Sequence, residues 1–268
     1  LELDKSNSSK LYYEIELPLS NVLSDMEIEG FPLDSKTLLE IGETFKNKLE
    51  ILTSNIYDLA GYKFNIASPK QVATLLFENL NLPNPKKGST SSDVLVQLVD
   101  KHPIINELLE YRKYSKLIST YIDSLVNHIH EDGKIHAIFN QALTTTGRLS
   151  SSEPNLQNIS VRDEEGKLIR KAFFYNDPNY EILSLDYSQI ELRILASLAK
   201  STSFINVFNS GEDVHKATAQ KVFNLKEVTD SDRRRAKAIN FGIVYGISDW
   251  GLSEQLNISV KDAKNIIF

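Results

Sequence analysis

Arg233, Lys237, Phe241 and Tyr245 recur at steps of four in the stretch RRRAKAINFGIVYG, residues 233–246. A step of four keeps side chains on one face of an α-helix, drifting slowly around its axis. The face formed this way is cationic at its start and aromatic at its end. A guanidinium grips phosphate oxygens in pairs, an ammonium supplies a compact charge, and an aromatic ring offers its face to a planar base. Such a helix rises about 18 Å from Arg233 to Tyr245, at 1.5 Å per residue, comparable to an extended nucleoside triphosphate. Gly242 and Gly246, also four apart, leave room for another planar group against the helix. The spacing predicts a bound nucleotide, with phosphates against Arg233 and Lys237 and sugar and base against Phe241 and Tyr245.

A second candidate lies in ILSLDYSQIELRILASLA (182–199), where EILSLDYS (181–188) reads as an apolar strand ending in Asp186 before a helix begins. A carboxylate at that point suits magnesium, which binds through one or two carboxylates plus phosphate oxygens. The competing reading makes Asp186 or Ser188 the cap of the helix that follows. Glu191 and Arg193 fall on its opening turns, where a solvated face also accounts for them. His215 in DVHKATA (213–219) is, by residue type alone, a structural histidine. The loop TTTGRLSSSEPNLQNIS (144–160) is almost devoid of apolar residues and resembles a disordered linker. It nevertheless sits between β-type runs, and Arg148, Asn155, Gln157 and Asn158 carry the groups that read acceptors in a nucleic-acid minor groove.

The elements that must position these residues follow from the pattern of the whole chain. Its 268 residues suffice for two domains or one large one, and 41% hydrophobic with 25% charged residues is a globular composition. No apolar run approaches the ~20 residues that span a bilayer, and no stretch reads as a signal peptide. With no cysteines, disulfides and thiolate metal sites are excluded, which suits a reducing cytoplasm. The net charge of −6 argues mildly against nucleic-acid binding, but distribution outranks the total. Basic residues bunch at Lys86–Lys87, Arg162–Lys171 and Arg233–Lys237; solvated faces are the alternative explanation of each bunch. Helices are predicted over 11–29, 34–60 (capped by Asp34 or Ser35, stopped by Gly61), 68–80 (capped by Ser68), 93–100 and 103–128. GFPLD (30–34) reads as an extended connector and PNPKKGSTSSD (83–93) as a loop. After the turn HEDGK (130–134), IHAIFNQAL and AFFYN read as β-type runs. Helical signals return from Gln189.

The segments DYSQIELR (186–193), RRRAKAINFGIVYG (233–246) and TGRLSSSEPNLQN (146–158) together resemble three signature segments of family A DNA polymerases of the bacterial polymerase I type. LYYEIELPLSNVLSDMEIEG, SPKQVATLLFENLNLP, HPIINELLEYRKYSKLISTYID and DVHKATAQKVF resemble the family in the same order, so the likeness covers nearly the whole chain. It implies an α+β right-hand architecture with an incomplete palm: a leading helix at 1–31, a helical thumb at 32–130, part of a palm with antiparallel sheet at 131–203, and part of the helical fingers at 204–268. By the same resemblance, Asp186 is a catalytic carboxylate that binds two Mg²⁺ ions in the full-length enzyme, assisted by the Tyr187 carbonyl. Glu191 is a steric gate against a ribose 2′-hydroxyl, and Phe241 implies discrimination against dideoxynucleotides. Arg233, Lys237 and His215 are triphosphate binders, with Lys237 also a candidate proton donor to the leaving pyrophosphate. Phe241 and Tyr245 lie at the incoming sugar and the templating position, and Gln189, Arg162 and Arg193 close to the site. Arg148, Asn155, Gln157 and Asn158 resemble contacts to primer–template DNA, and Lys86 and Lys87 sit in the thumb-tip loop. The implied activity is transfer of a deoxynucleotidyl group from a dNTP to a primer 3′-hydroxyl by a two-metal mechanism, in a monomeric, cytoplasmic, nucleoid-associated enzyme without membrane contact.

Three departures qualify the resemblance. The family's second catalytic aspartate belongs to a His-Asp-Glu motif beyond the fingers, which residues 1–268 do not contain; HED at 130–132 opens a turn instead. These residues alone are therefore expected to bind without catalysing, and the family's upstream exonuclease-like domain is expected to be missing. Ser160 stands where the family usually has proline, and the loop around Lys86–Ser92 is short. A single-subunit RNA polymerase shares the acid and the Arg/Lys helix, but Glu191 opposes ribonucleotides. A non-catalytic module that holds primer–template is the other alternative.

Overall fold

The computed structural model describes residues 2–161 and 163–267. They form two compact units, 1–182 and 183–268; the boundary falls inside the segment expected as palm. The fold is α+β: the described residues are mostly helical, with two small antiparallel sheets among them.

In the first unit, helix α1 (Leu17–Glu29) continues from a widened π-helical turn at Tyr12–Glu16. It ends at Gly30, and strand β1 (Phe31–Pro32) leads to α2 (Ser35–Ala60). Asp34 caps α2 by accepting from the Thr37 amide at 2.7 Å, and Gly61 ends it in the left-handed conformation that costs glycine least. Ser68 caps the helix starting at Pro69. The predicted helix over 103–128 is α3 (Ile104–Lys116), followed by a π-helical stretch Leu117–Asp123 and one last turn, Ser124–Asn127. The apolar sides of these helices make two cores. One gathers Ile56, Leu75, Leu76, Leu95, Ile105 and Leu108; the other gathers Leu38, Phe45, Ile122, Leu125, Ile135 and Ile169. Each such side chain removed from water contributes about 1.5–3 kcal/mol.

β1 pairs antiparallel with β2 (Lys134–Ile135), with Phe31 opposite Ile135. β3 (Ile138–Asn140) pairs with β4 (Ser150–Ser152), with Ile138 opposite Ser152. α4 (Glu164–Arg170) then begins at Asp163, whose carboxylate accepts from the Gly166 amide at 2.6 Å. Two predicted strands do not form. AFFYN (172–176) is irregular: beside β1 it makes one backbone bond, the Ala172 carbonyl accepting from the Asp34 amide at 2.8 Å, and Phe173 packs on Phe31 with ring centroids 5.6 Å apart, in place of a ladder.

The second expected strand, 181–188, forms no strand and has no ladder pairing among the described residues; only Ser188, at its end, enters a turn. Leu183, Leu185 and Tyr187 are 79%, 83% and 78% exposed. Alternating apolar residues make a strand only beside another strand that accepts their ladder of hydrogen bonds.

The rest of the second unit is helical: α5 (Ile190–Leu198), α6 (Thr202–Asn209), α7 (Val214–Phe223), α8 (Asp230–Val244), α9 (Asp249–Leu256) and α10 (Val260–Ile267). Ile239, Leu252, Leu256 and Ala263 form its small core, edged by Val222, Phe223 and Ile247.

Candidate functional site

α8 forms where the step of four predicts a helix. A reciprocal cap starts the helix: Thr229 Oγ1 accepts from the Asp232 amide at 3.2 Å, and Asp232 accepts from the Thr229 amide at 3.2 Å. Arg233, Lys237 and Phe241 then follow one another along a face. The helix stops at Val244, one residue short of the predicted stretch, and Tyr245 is its C-cap, donating its amide to the Phe241 carbonyl at 3.0 Å. The Phe241 and Tyr245 rings remain nearly parallel, 16° apart with centroids at 6.4 Å. Lys237 Nζ lies 5.9 Å from the Phe241 centroid, within cation–π range. Apart from that ring, Lys237 is exposed and has no ion pair among the described residues.

Arg233 is engaged. Its Nε donates to Asp213 Oδ2 at 2.8 Å, and a terminal nitrogen lies 2.7 Å from the same oxygen. Asp213 also caps α7, accepting from the His215 and Lys216 amides at 2.9 and 3.0 Å. Burial would push the Asp213 carboxyl up, but Arg233 and the two amides outweigh it and hold it below its usual range. One carboxylate therefore fixes both the start of α7 and the cation at the start of the α8 face. His215, the next residue but one, is only 2% exposed. Its ring centroid is 5.8 Å from that of Phe241. Burial is the main cause that lowers its pKa; Arg233 and Lys237 add to it, and Asp213 opposes it.

α5 meets the aromatic end of the face. The Tyr245 hydroxyl donates to Glu191 Oε2 at 2.6 Å. Arg193 stacks on Phe208 at 4.6 Å and donates to the Ser188 carbonyl at 2.9 Å. Neither Asp186 nor Ser188 caps α5. That place belongs to Gln189, a non-glycine residue at φ 54° whose side chain makes no capping bond; backbone in this region is costly and is held by its surroundings. Asp186 is exposed and makes no side-chain hydrogen bond or ion pair among the described residues. Nor do the described residues include any cluster of three or more metal-ligating acids and histidines. An unpaired carboxylate beside the Tyr187 carbonyl fits a hard dication that keeps waters and takes phosphate oxygens as further ligands.

Of the two glycines, Gly242 differs from expectation. A Cβ on Gly242 would lie 3.0 Å from Ile247 Cγ2, so this glycine makes room for a core side chain, not for a ligand. Gly246 has φ 71°, and a Cβ there would meet nothing within 4 Å; it serves the turn after α8 and also leaves open space.

The DNA-contact candidates lie in the first unit and are described within it. The 144–160 loop is folded. Ser151, buried, donates to the Pro154 carbonyl at 3.1 Å and accepts from the Leu156 amide at 3.4 Å. Asn155 caps a 3-10 turn by accepting from the Gln157 amide at 3.0 Å, and the Asn158 carbonyl accepts from the Tyr121 hydroxyl at 2.6 Å. These bonds leave Arg148, Gln157 and Asn158 exposed. Arg162 lies outside the described residues. Of its basic neighbours, Lys167 pairs with Glu164 at 2.6 Å and Arg170 donates to the Ile159 carbonyl at 2.9 Å, so much of that bunch is structural. Lys86 pairs with Asp93, and this hydrogen bond, followed by one from Ser91, holds the Asp93 carboxyl down at about 2. Lys87 is exposed.

Sequence reasoning passed over Asn240 and Thr218. Asn240 is 6% exposed, its amide nitrogen 3.0 Å from His215 Nδ1 and its oxygen 3.1 Å from the Thr218 hydroxyl. The available signal was an amide beside Ile239 on the buried side of α8.

A model of DNA polymerase family A matches residues 35–268. The chain belongs to that family. It is 49% identical to the DNA polymerase I of Geobacillus stearothermophilus and 50% identical to that of Lactococcus lactis subsp. cremoris, each over 99% of this chain and 31% of the relative. It therefore spans about a third of the length of the curated relatives it matches. Among solved structures, it is similar to the polymerase domain of Pol1 from M. smegmatis in complex with DNA primer–template and dNTP. That match has a TM-score of 0.93 and 39% identity, covering 99% of this chain and 48% of the other. Among the described residues no helix is long and apolar enough to cross a membrane.

Proposed function

We propose that this chain is the part of a template-directed DNA polymerase that receives the incoming deoxynucleoside triphosphate and grips the primer–template. In this reading 32–130 is the thumb, 131–203 contributes to the palm, and 204–268 to the fingers. The observation that carries it is the α8 face: Lys237 open beside Phe241, Arg233 pinned by Asp213, and Tyr245 stacked beyond, with His215 against Phe241. The triphosphate lies along Arg233, Lys237 and His215, and its sugar and base lie between Phe241, Tyr245 and Glu191. Gln189 buttresses the turn that aims Asp186. Arg148, Asn155, Gln157 and Asn158 meet the minor groove, while Lys86, Lys87 and Arg162 meet phosphates.

Asp186 and the Tyr187 carbonyl are the donors this chain would offer to magnesium. Bound there, the ion would supply positive charge where a primer oxygen attacks and pyrophosphate leaves. Lys237, open and long, is the group that would place a proton on that leaving oxygen. Glu191, held by the Tyr245 hydroxyl, presents a fixed carboxylate under the sugar, which favours deoxyribose and speaks for a DNA over an RNA polymerase.

Calorimetric titration of a dNTP into the protein tests the reading. Binding is expected, and Lys237→Ala is expected to weaken it at least tenfold, the scale of one charge-assisted hydrogen bond. Equal affinity in the variant, or none in the parent, would remove the basis of the proposal.

A further inference from the structure

Asn240 and His215 form a buried polar pair in the contact between α7 and α8. An amide has a donor end and an acceptor end, so what lies at one end determines what can lie at the other. The Thr218 hydroxyl stands 3.1 Å from Asn240 Oδ1 and 2.8 Å from the Val214 carbonyl, with a single proton to give. When that proton goes to Oδ1, the Asn240 NH₂ faces His215 Nδ1, and the imidazole must carry its own proton on Nε2. Nε2 has no hydrogen-bond partner among the described residues. Nor is it a sealed atom: among the described residues the only buried side-chain nitrogen or oxygen without a partner is Ser150 Oγ. It is the ring's open polar atom.

We propose that Asn240, backed by Thr218, is a positioning residue that holds His215 as the Nε2–H tautomer, so that a neutral imidazole donates a hydrogen bond to a triphosphate oxygen. The triphosphate half of this rests on the function proposed above; the tautomer does not. Adding a proton at Nδ1 would set two donors face to face. Arg233 and Lys237 on α8 also disfavour an imidazolium, Asp213 at the start of α7 favours one, and α6 carries no ionisable side chain. Burial settles the balance for the neutral ring. A neutral ring in the other tautomer would turn a lone pair towards phosphate and repel it, which is why the direction of this short chain matters.

Exchanging the amide for a carboxylate, Asn240→Asp, keeps the shape and removes the donor. Long-range ¹H–¹⁵N correlation on histidine-labelled protein reads the ring nitrogens, and His215→Gln assigns the signal among five histidines. In the parent, Nδ1 of His215 is expected unprotonated and Nε2 protonated. In Asn240→Asp, Nδ1 is expected protonated, with the histidine pKa raised. Triphosphate affinity of that variant should then fall about tenfold relative to the parent as pH rises through the new pKa, whereas a merely structural role would leave the ratio flat. Thr218→Val, which keeps the volume and carries no buried charge, should give a mixture of tautomers and serves where Asn240→Asp does not fold. A parent spectrum with Nδ1 protonated, or a tautomer untouched by both variants, would overturn the proposal. A switched tautomer with an unchanged affinity profile would overturn its triphosphate half. A parent that binds no triphosphate would refute the proposed function while the spectra still judge the tautomer.

Discussion

At the scale of single residues, the two cations of the α8 face have different surroundings and should fail differently. Lys237 is exposed and, among the described residues, leans on Phe241 without an ion pair, so its removal should cost binding and leave folding unchanged. Arg233 shares Asp213 with two helix amides. Arg233→Ala leaves that partly buried carboxylate with one class of partner fewer, and should lower stability by about 1–2 kcal/mol in addition to weakening triphosphate binding. Urea unfolding separates the two effects; equal stability of both variants would show that the Asp213 pair contributes nothing. The same residues predict an acid profile. His215 is held below its ordinary pKa by burial. The unfolded chain therefore takes up its proton first, and stability present above about pH 6.5 is lost as pH falls towards the folded value. Asp213, held below the carboxylate range, adds a second loss below about pH 4. His215→Gln should abolish the first loss and leave the second.

At the scale of elements, α2 shows how a glycine inside a helix can be a packing device. A Cβ on Gly42 would lie 2.7 Å from Ile122 Cγ2, and Ile122 is a buried, β-branched side chain with little freedom to move. Gly42→Ala gains about 1 kcal/mol of helix propensity against an overpacking cost of about 1–3 kcal/mol. The expected net is a loss near 1 kcal/mol, made smaller in an Ile122→Leu background, which lacks the Cγ2 methyl that the new Cβ would meet. A stabilised single variant would mean that the helices separate more easily than their packing implies. Elements of this kind were legible in the sequence because their causes are local: Asp34, Ser68 and Gly61 mark helix ends by their own bonds and dihedrals, and the step of four made the α8 face visible. What depended on a distant partner was not legible. The 181–187 segment has strand-like alternation but nothing to pair with, Gly242 looked like a ligand seat until Ile247 filled it, and Asn240 looked like an ordinary helix residue until His215 arrived from another helix. The face proposed for a triphosphate was thus legible in outline, without the Asp213, Thr218 and Asn240 contacts that surround it.

At the scale of the whole molecule, a net charge of −6 means that the long-range field does not draw DNA in; attraction has to come from local cations within a Debye length of about 10 Å at 0.1 M salt. Affinity for primer–template should therefore fall steeply with salt, log K against log salt having a slope of about −0.9 for each phosphate neutralised. Lys87 is open and Lys86 is held by Asp93, which gives the two neighbours opposite genetics. Lys87→Ala should flatten the slope by about 0.9. Asp93→Asn, by releasing Lys86 and removing a negative charge, should tighten binding at low salt and steepen the slope by up to the same amount. Because Asp93 stays ionised down to about pH 2, the parent should show no such gain on mild acidification, so the effect of Asp93→Asn cannot be mimicked by lowering pH to 5. Fluorescence anisotropy of a labelled primer–template across a salt series reads all three. If Lys87→Ala leaves the slope unchanged, the 83–93 loop does not touch the phosphates, and the grip on DNA must be sought in the folded 144–160 loop.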